Sequence, residues 1–141
     1  MTTHELIEAY IASLPAPKRS DMQALHNAIL RMAPASELRF LDGKDATGKV
    51  VTNPNIGYGT RILKQAGGKA KEFYRVGISG NSTGISVYIM GLVDKDHLVR
   101  AYGKRIGKAS VTGYCIKFKA LKDVDMAVLE AAIRERLEAA E

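Results

Sequence analysis

The sequence predicts an α+β domain. It comprises an antiparallel sheet of four to six strands, an N-terminal helical hairpin, a short middle helix and a C-terminal helix. Three observations lead there. Between residues 56 and 90, short β-rich runs alternate along their length and are divided by glycine-rich turns, AGGK at 66–69 and GNSTG at 80–84, the pattern of an antiparallel meander. On either side of that region, apolar residues recur at helical spacing. The length of 141 residues suits one domain, 1–141, with a core of its own.

The elements follow in order. Leu6, Ile7, Tyr10 and Ile11 form a helical stripe over 4–13, with Thr3 as the expected N-cap and Pro15 and Pro17 as the stop. Pro17 opens a second helix over about 18–32, with Met22, Leu25, Ile29 and Met32 as its stripe. Two helices joined by so short a loop make a hairpin. ELRFL at 37–41 reads as a strand, with VVTN at 50–53 pairing back onto it across the polar tip DGKDATGK. The meander then places Ile56, Tyr58, Ile62, Tyr74, Val76, Ile78, Ile85, Val87 and Ile89 on a core face. Asp94 or Asp96 caps a third helix whose buried residues are expected to be Leu98, Val99 and Tyr102, and which Gly103 ends. Residues 104–113 read as a basic loop, and 114–119 as a further strand. Asp123 caps a last helix over 124–139, with Met126, Leu129, Ile133 and Leu137 inward.

Composition narrows the function classes. One cysteine, Cys115, rules out an internal disulfide and suits a reducing compartment. No apolar run reaches the ~20 residues of a membrane helix, and the N-terminal stretch lacks a secretory pattern, so a cytoplasmic protein without membrane association is expected. The net charge of +6 is unevenly spread. Residues 56–122 carry thirteen Lys/Arg against three acids, whereas residues 123–141 carry two against six. A positive centre attracts anions. It permits weak nucleic-acid binding, but no recognised reading motif is present, so nucleic acid is not an expected partner.

Several motifs together resemble a known family. IGYGT (56–60), VGIS with VYIMG (76–79, 87–91), AYGK (101–104) and CIKFKALKDVD (115–125) are similar, in that order, to bacterial YdhG-like proteins, a family classed as a domain of unknown function. YIASLPAPKRSDMQAL (10–25) resembles its helical hairpin. The likeness covers about residues 6–139 and implies an α+β domain with no established activity. Many members carry a tryptophan just before IGYG, and this chain has none; its 41–53 connection is also longer and more polar. Some relatives are proposed as frataxin-like iron chaperones, which makes a metal chaperone the alternative function.

No catalytic constellation stands out. Cys115 shares a strand face with Lys117, but no triad or nucleophile elbow surrounds it. His4, His26 and His97 are scattered, and the Asp94–Asp96–His97 cluster reads as a helix start. No cofactor or metal site is expected. The candidate binding residues are basic and glycine-lined. Gly57, Tyr58, Gly59, Arg61, Arg75, Tyr88 and Lys117 gather on or beside the sheet face opposite the core, and Lys104 and Arg105 lie in GKRIGK (103–108), a candidate anion loop. Two arrangements fit that face. In the expected one, a helix packs on the glycines; in the other, the face is an open site with a tyrosine floor. The expected function is a non-enzymatic module for a small anionic ligand or acidic protein partner, acting as monomer or homodimer.

Overall fold

In the computed structural model, which describes residues 1–64 and 66–139, α-helices cover one face of a six-stranded antiparallel sheet, and a separate two-stranded hairpin interrupts that sheet in sequence. The fold is α+β, with helices at both ends of the chain.

Helix α1 (Thr3–Ala12) begins one residue earlier than expected. Thr2 is its N-cap: the Thr2 hydroxyl accepts the Glu5 N–H at 3.1 Å, and the Glu5 carboxylate accepts the Thr2 N–H at 3.2 Å. This reciprocal box satisfies two otherwise orphaned donors. Helix α2 (Lys18–Met32) has the predicted bounds, and Met22, Leu25 and Ile29 on its stripe are fully buried.

Strands β1 (Leu38–Leu41), β2 (Asn55–Tyr58), β5 (Val76–Asn81), β6 (Gly84–Ile89), β7 (Ser110–Val111) and β8 (Cys115–Phe118) form the main sheet in the order β1-β2-β5-β6-β8-β7. Strands β3 (Arg61–Lys64) and β4 (Ala70–Phe73) pair only with each other. The single strand expected from Ile56 to Leu63 is therefore two. Gly59 adopts φ +75, a left-handed conformation that glycine enters without Cβ strain, and the chain turns there out of the sheet. Alternation loses its phase at that turn, so Ile62, expected in the core, is 51% exposed.

Two further pairings differ from expectation. VVTN does not pair with ELRFL; β1 pairs with β2, and Val50 makes only an isolated bridge to Lys44. Asp45 organises that loop instead, its Oδ1 accepting the N–H groups of Thr47 and Lys49. Ser110 and Val111, expected in a loop, form an edge strand against Lys117 and Ile116.

Helix α3 (His97–Tyr102) packs on α4 (Met126–Glu138); Leu98 and Tyr102 are buried, but Val99, expected inward, is 49% exposed. The α4 N-cap is Asp125, not Asp123; its Oδ1 accepts the N–H groups of Ala127 and Val128. Gly103 closes α3 in an ordinary right-handed conformation rather than as a left-handed terminator.

The core lies between the sheet and the helices. Ile56, Val76, Ile78, Ile85, Val87, Ile89 and Ile116 meet Ile7, Ile11, Leu25 and Ile29 from the N-terminal hairpin, and Leu129 and Ile133 from α4. Each fully buried large aliphatic side chain contributes about 1.5–3 kcal/mol by leaving water, so these residues carry most of the stabilisation. Polar contacts also cross the core: the Tyr10 hydroxyl accepts the Gly80 N–H at 2.9 Å, and His26 Nδ1 lies 2.6 Å from the hydroxyl of Tyr58, which is 0% exposed. Burial, reinforced by nearby His4 and opposed by Glu8, lowers the His26 pKa below the ordinary 6.5. As pH falls, the unfolded chain binds this proton before the folded one does. The stability contributed by the neutral ring is thus present above about 6.5 and lost as pH falls through it toward the depressed folded value. We expect urea denaturation to show stability falling between about pH 7 and pH 5. His26→Gln, which keeps a partner for the Tyr58 hydroxyl, should flatten that slope; an unchanged slope would assign it to other groups.

Candidate functional site

The register of the sheet places two rows of residues on the face away from the helices. One runs Arg39, Gly57, Gly77, Tyr88, Cys115; the other runs Ser79, Ser86, Lys117, Ser110. The helices lie on the opposite side, where a Cβ built on Gly80 would meet Leu14 and Lys18.

The paired glycines are not an entrance for a ligand, and no helix lies over them. They are covered by Tyr74. A Cβ on Gly57 would sit 2.5 Å from the Tyr74 ring, and one on Gly77 would sit 2.6 Å from it. The ring spans the pair, Phe73 stacks against it with centroids 4.3 Å apart, and Tyr74 is 4% exposed. Strand alternation alone places Tyr74 in the main core with Val76 and Ile78. It follows the end of β4 and faces the other way, because the β3–β4 excursion breaks the alternation before β5 begins. Burial pushes its phenol well above the ordinary value, with Tyr88 and Cys115 adding to the effect.

The other candidate residues fall into separate places. Tyr58 is on the core face. Gly59 forms the turn after β2 and sits beside Leu137 and Arg75. Arg75 donates to the carbonyls of Thr60, Leu137 and Ala139, so it serves the C-terminal end of α4, where a cation suits the helix dipole. Arg61 approaches Gly91, which Arg136 also flanks while donating to the Met90 carbonyl.

The GKRIGK loop is not an anion nest. The N–H groups of Arg105 and Ile106 donate to the Tyr102 carbonyl, that of Lys108 to Asp123, and that of Ala109 to Gly107. Lys104 and Arg105 are exposed, and the Arg105 guanidinium lies over the Tyr102 ring at 5.7 Å.

Tyr88 and Lys117 are the two candidates that the fold brings together. They line a cleft of about 270 Å³ with Asn53, Asn81, Ser86, Tyr114 and Cys115. Among the described residues, the cleft wall contains no carboxylate. Asn81 bridges it, donating from Nδ2 to the Ser86 hydroxyl at 3.1 Å and accepting from Thr83. Lys117 makes no ion pair among the described residues. Cys115 is buried; that burial raises its pKa against the opposing pull of Lys117 and Ser86, so the thiol stays protonated and is a poor nucleophile. Burial also raises the Tyr88 phenol. The arrangement can hold an anion and hydrogen-bond it, but it contains no activated base or nucleophile.

Sequence reasoning missed Asn53, Asn81 and Tyr114 as neighbours of Lys117. Asn81 was legible only as a turn residue, and Asn53 only as part of a strand that does not form.

Several acidic residues are engaged within the protein. Asp94 accepts the Asp96 N–H and pairs with Arg100 at 2.5 Å, and His97 lies 2.5 Å from Glu135. Among the described residues, no group of three or more His, Cys, Asp or Glu is placed to hold a metal ion. No helix among them is long and apolar enough to cross a membrane. No family model, curated protein or solved structure matches the chain.

The glycine–tyrosine packing makes a direct prediction. Gly77→Ala should destabilise by about 1–3 kcal/mol, the usual cost of overpacking. In a Tyr74→Ala background the same change should cost much less, giving a coupling energy in a double-mutant cycle by chemical denaturation. Additive effects would show that the ring does not lie on Gly77.

Proposed function

We propose that this domain is a non-enzymatic binding module for a small anionic ligand held on the open sheet face beside Lys117. The supporting observation is a concave, carboxylate-free cleft with one unpaired lysine, serine and asparagine groups, and two tyrosines. A lysine without a carboxylate partner in a partly enclosed site has a stronger field than a lone surface charge. The cleft is small and concave, which favours a small ligand over a flat protein surface. The buried protonated thiol supports binding rather than catalysis. Membership of the YdhG-like family is part of the same proposal, supported by the order of its motifs along β2, β5, β6 and β8. So is a cytoplasmic setting, supported by a single cysteine that is free of any disulfide and buried.

Thermal melting with sodium pyrophosphate as the probe tests this reading. A ligand at about ten times its Kd stabilises the folded state by roughly 1.4 kcal/mol, a midpoint rise of a few degrees. The rise should disappear in Lys117→Glu while that variant melts normally without pyrophosphate. A rise that persists in Lys117→Glu would place anion binding elsewhere, and no rise in the unmodified protein would remove the proposal.

A further inference from the structure

The Lys117 cleft does not end at its own wall. Thr83 and Lys117 also line a second, more open groove of about 610 Å³, which continues past Ser110 to Lys108 and Lys119. The two spaces differ in chemistry. Apart from Lys117, which borders both spaces, the cleft is aromatic and neutral-polar: Tyr114 is 57% exposed and Tyr88 half-buried at its edge, and the exposed Asn53 makes no side-chain hydrogen bond among the described residues. The groove is cationic. Lys108, Lys117 and Lys119 are all exposed, and none is in an ion pair among the described residues. Lys117 and Lys119 are two residues apart, about 7 Å along an extended chain, a span comparable with that of a short phosphate chain. A third space, beyond Lys119, is lined by Asp21 and Asp123 as well as lysines, so the carboxylate-free stretch ends there.

We propose, resting on the anion-binding reading above, that the ligand is a nucleotide carrying two or more phosphates. Its aromatic base lies in the cleft against Tyr114 and Tyr88, and its phosphates extend over Lys117 toward Lys119 and Lys108. Each half of the surface matches one half of such a molecule. An exposed tyrosine offers a π face to any base, an amide offers both a donor and an acceptor to a base edge, and lysines without carboxylates offer point charges to phosphates. An inorganic anion would use only the cationic half.

Isothermal titration of the full chain with ADP, adenosine, pyrophosphate and single-stranded hexa-adenylate separates the outcomes. The proposal expects ADP to bind about fivefold or more tightly than pyrophosphate, with Tyr114→Ala removing that advantage and leaving pyrophosphate unchanged. Lys119→Ala should weaken ADP and pyrophosphate alike. Because Tyr114 and Lys119 are exposed, both variants should melt as the unmodified protein does; a Tyr114→Leu variant, which keeps the apolar bulk without the ring, is the check on Tyr114→Ala. Equal affinity for ADP and pyrophosphate, insensitive to Tyr114, would overturn the nucleotide assignment while leaving the anion site standing. Hexa-adenylate binding more tightly than ADP, with a steep salt dependence, would also overturn it, in favour of a nucleic-acid strand. No binding of any of the four would remove both readings.

Discussion

The structure turns on one contact, the Tyr74 ring laid across the Gly57–Gly77 pair. Adjacent strands that present glycine to each other leave a strip of bare backbone with no side chain to exclude water. Tyr74 fills that strip, and its fit leaves no room for a Cβ at either position. To reach it, the chain must leave the sheet after β2 and return just before β5. Gly59, at φ +75, makes the exit, and the β3–β4 hairpin carries the chain out and back so that Phe73 and Tyr74 arrive over the glycines. The detour therefore supplies the cover that a fifth helix would otherwise provide.

The same contact fixes what remains open. With the glycines closed by a ring, the exposed polar surface shifts toward β6 and β8, where half-buried Tyr88 and exposed Lys117 stand beside the buried Ser86. Arg39 seals the opposite side, donating to Thr60 and pairing with Glu72. The main core uses the opposite face of the same strands, where its aliphatic residues and the His26–Tyr58 contact meet the helices. Two layers thus share one sheet: a dry layer that holds the fold, and a polar layer that offers a surface.

Much of the dry layer was legible from the sequence, because it depends on local periodicity. Helix α2, the β5–β6 hairpin and the inward residues Val76, Ile78, Ile85, Val87 and Ile89 follow from alternation and turn chemistry alone. The errors arose where a local pattern has two readings. Gly59 in a run of alternating residues looks like a strand glycine, and only its backbone angle reveals a turn; Ile62 and Tyr74 were then assigned to the wrong face by parity. VVTN has strand composition, but β1 takes β2 as its partner, and pairing between distant segments leaves no mark in either. Among helix starts, Thr2 and Asp125 compete with equally suitable caps one or two residues away.

The site was less legible, for an electrostatic reason. The basic excess of residues 56–122 identifies a field but not which cations are spent. Arg75 is committed to α4 carbonyls, and the GKRIGK backbone is committed to Tyr102 and Asp123, so that loop cannot cradle an anion with its N–H groups, although the Lys108 side chain stays exposed. Lys117 differs in standing at the wall of a concave cleft with no carboxylate among its described lining residues, a property of the folded arrangement. Tyr114 and Asn81 join it because β8 and the β5–β6 turn flank the same edge of the face. The most direct test of this architecture is the nuclear Overhauser pattern of the two glycines in solution. Ring protons of Tyr74 should show contacts to the α-protons of both Gly57 and Gly77, with those α-protons shifted upfield by the ring and returning toward ordinary values in Tyr74→Leu. Contacts from those α-protons to helix side chains instead, with no ring shift, would contradict it.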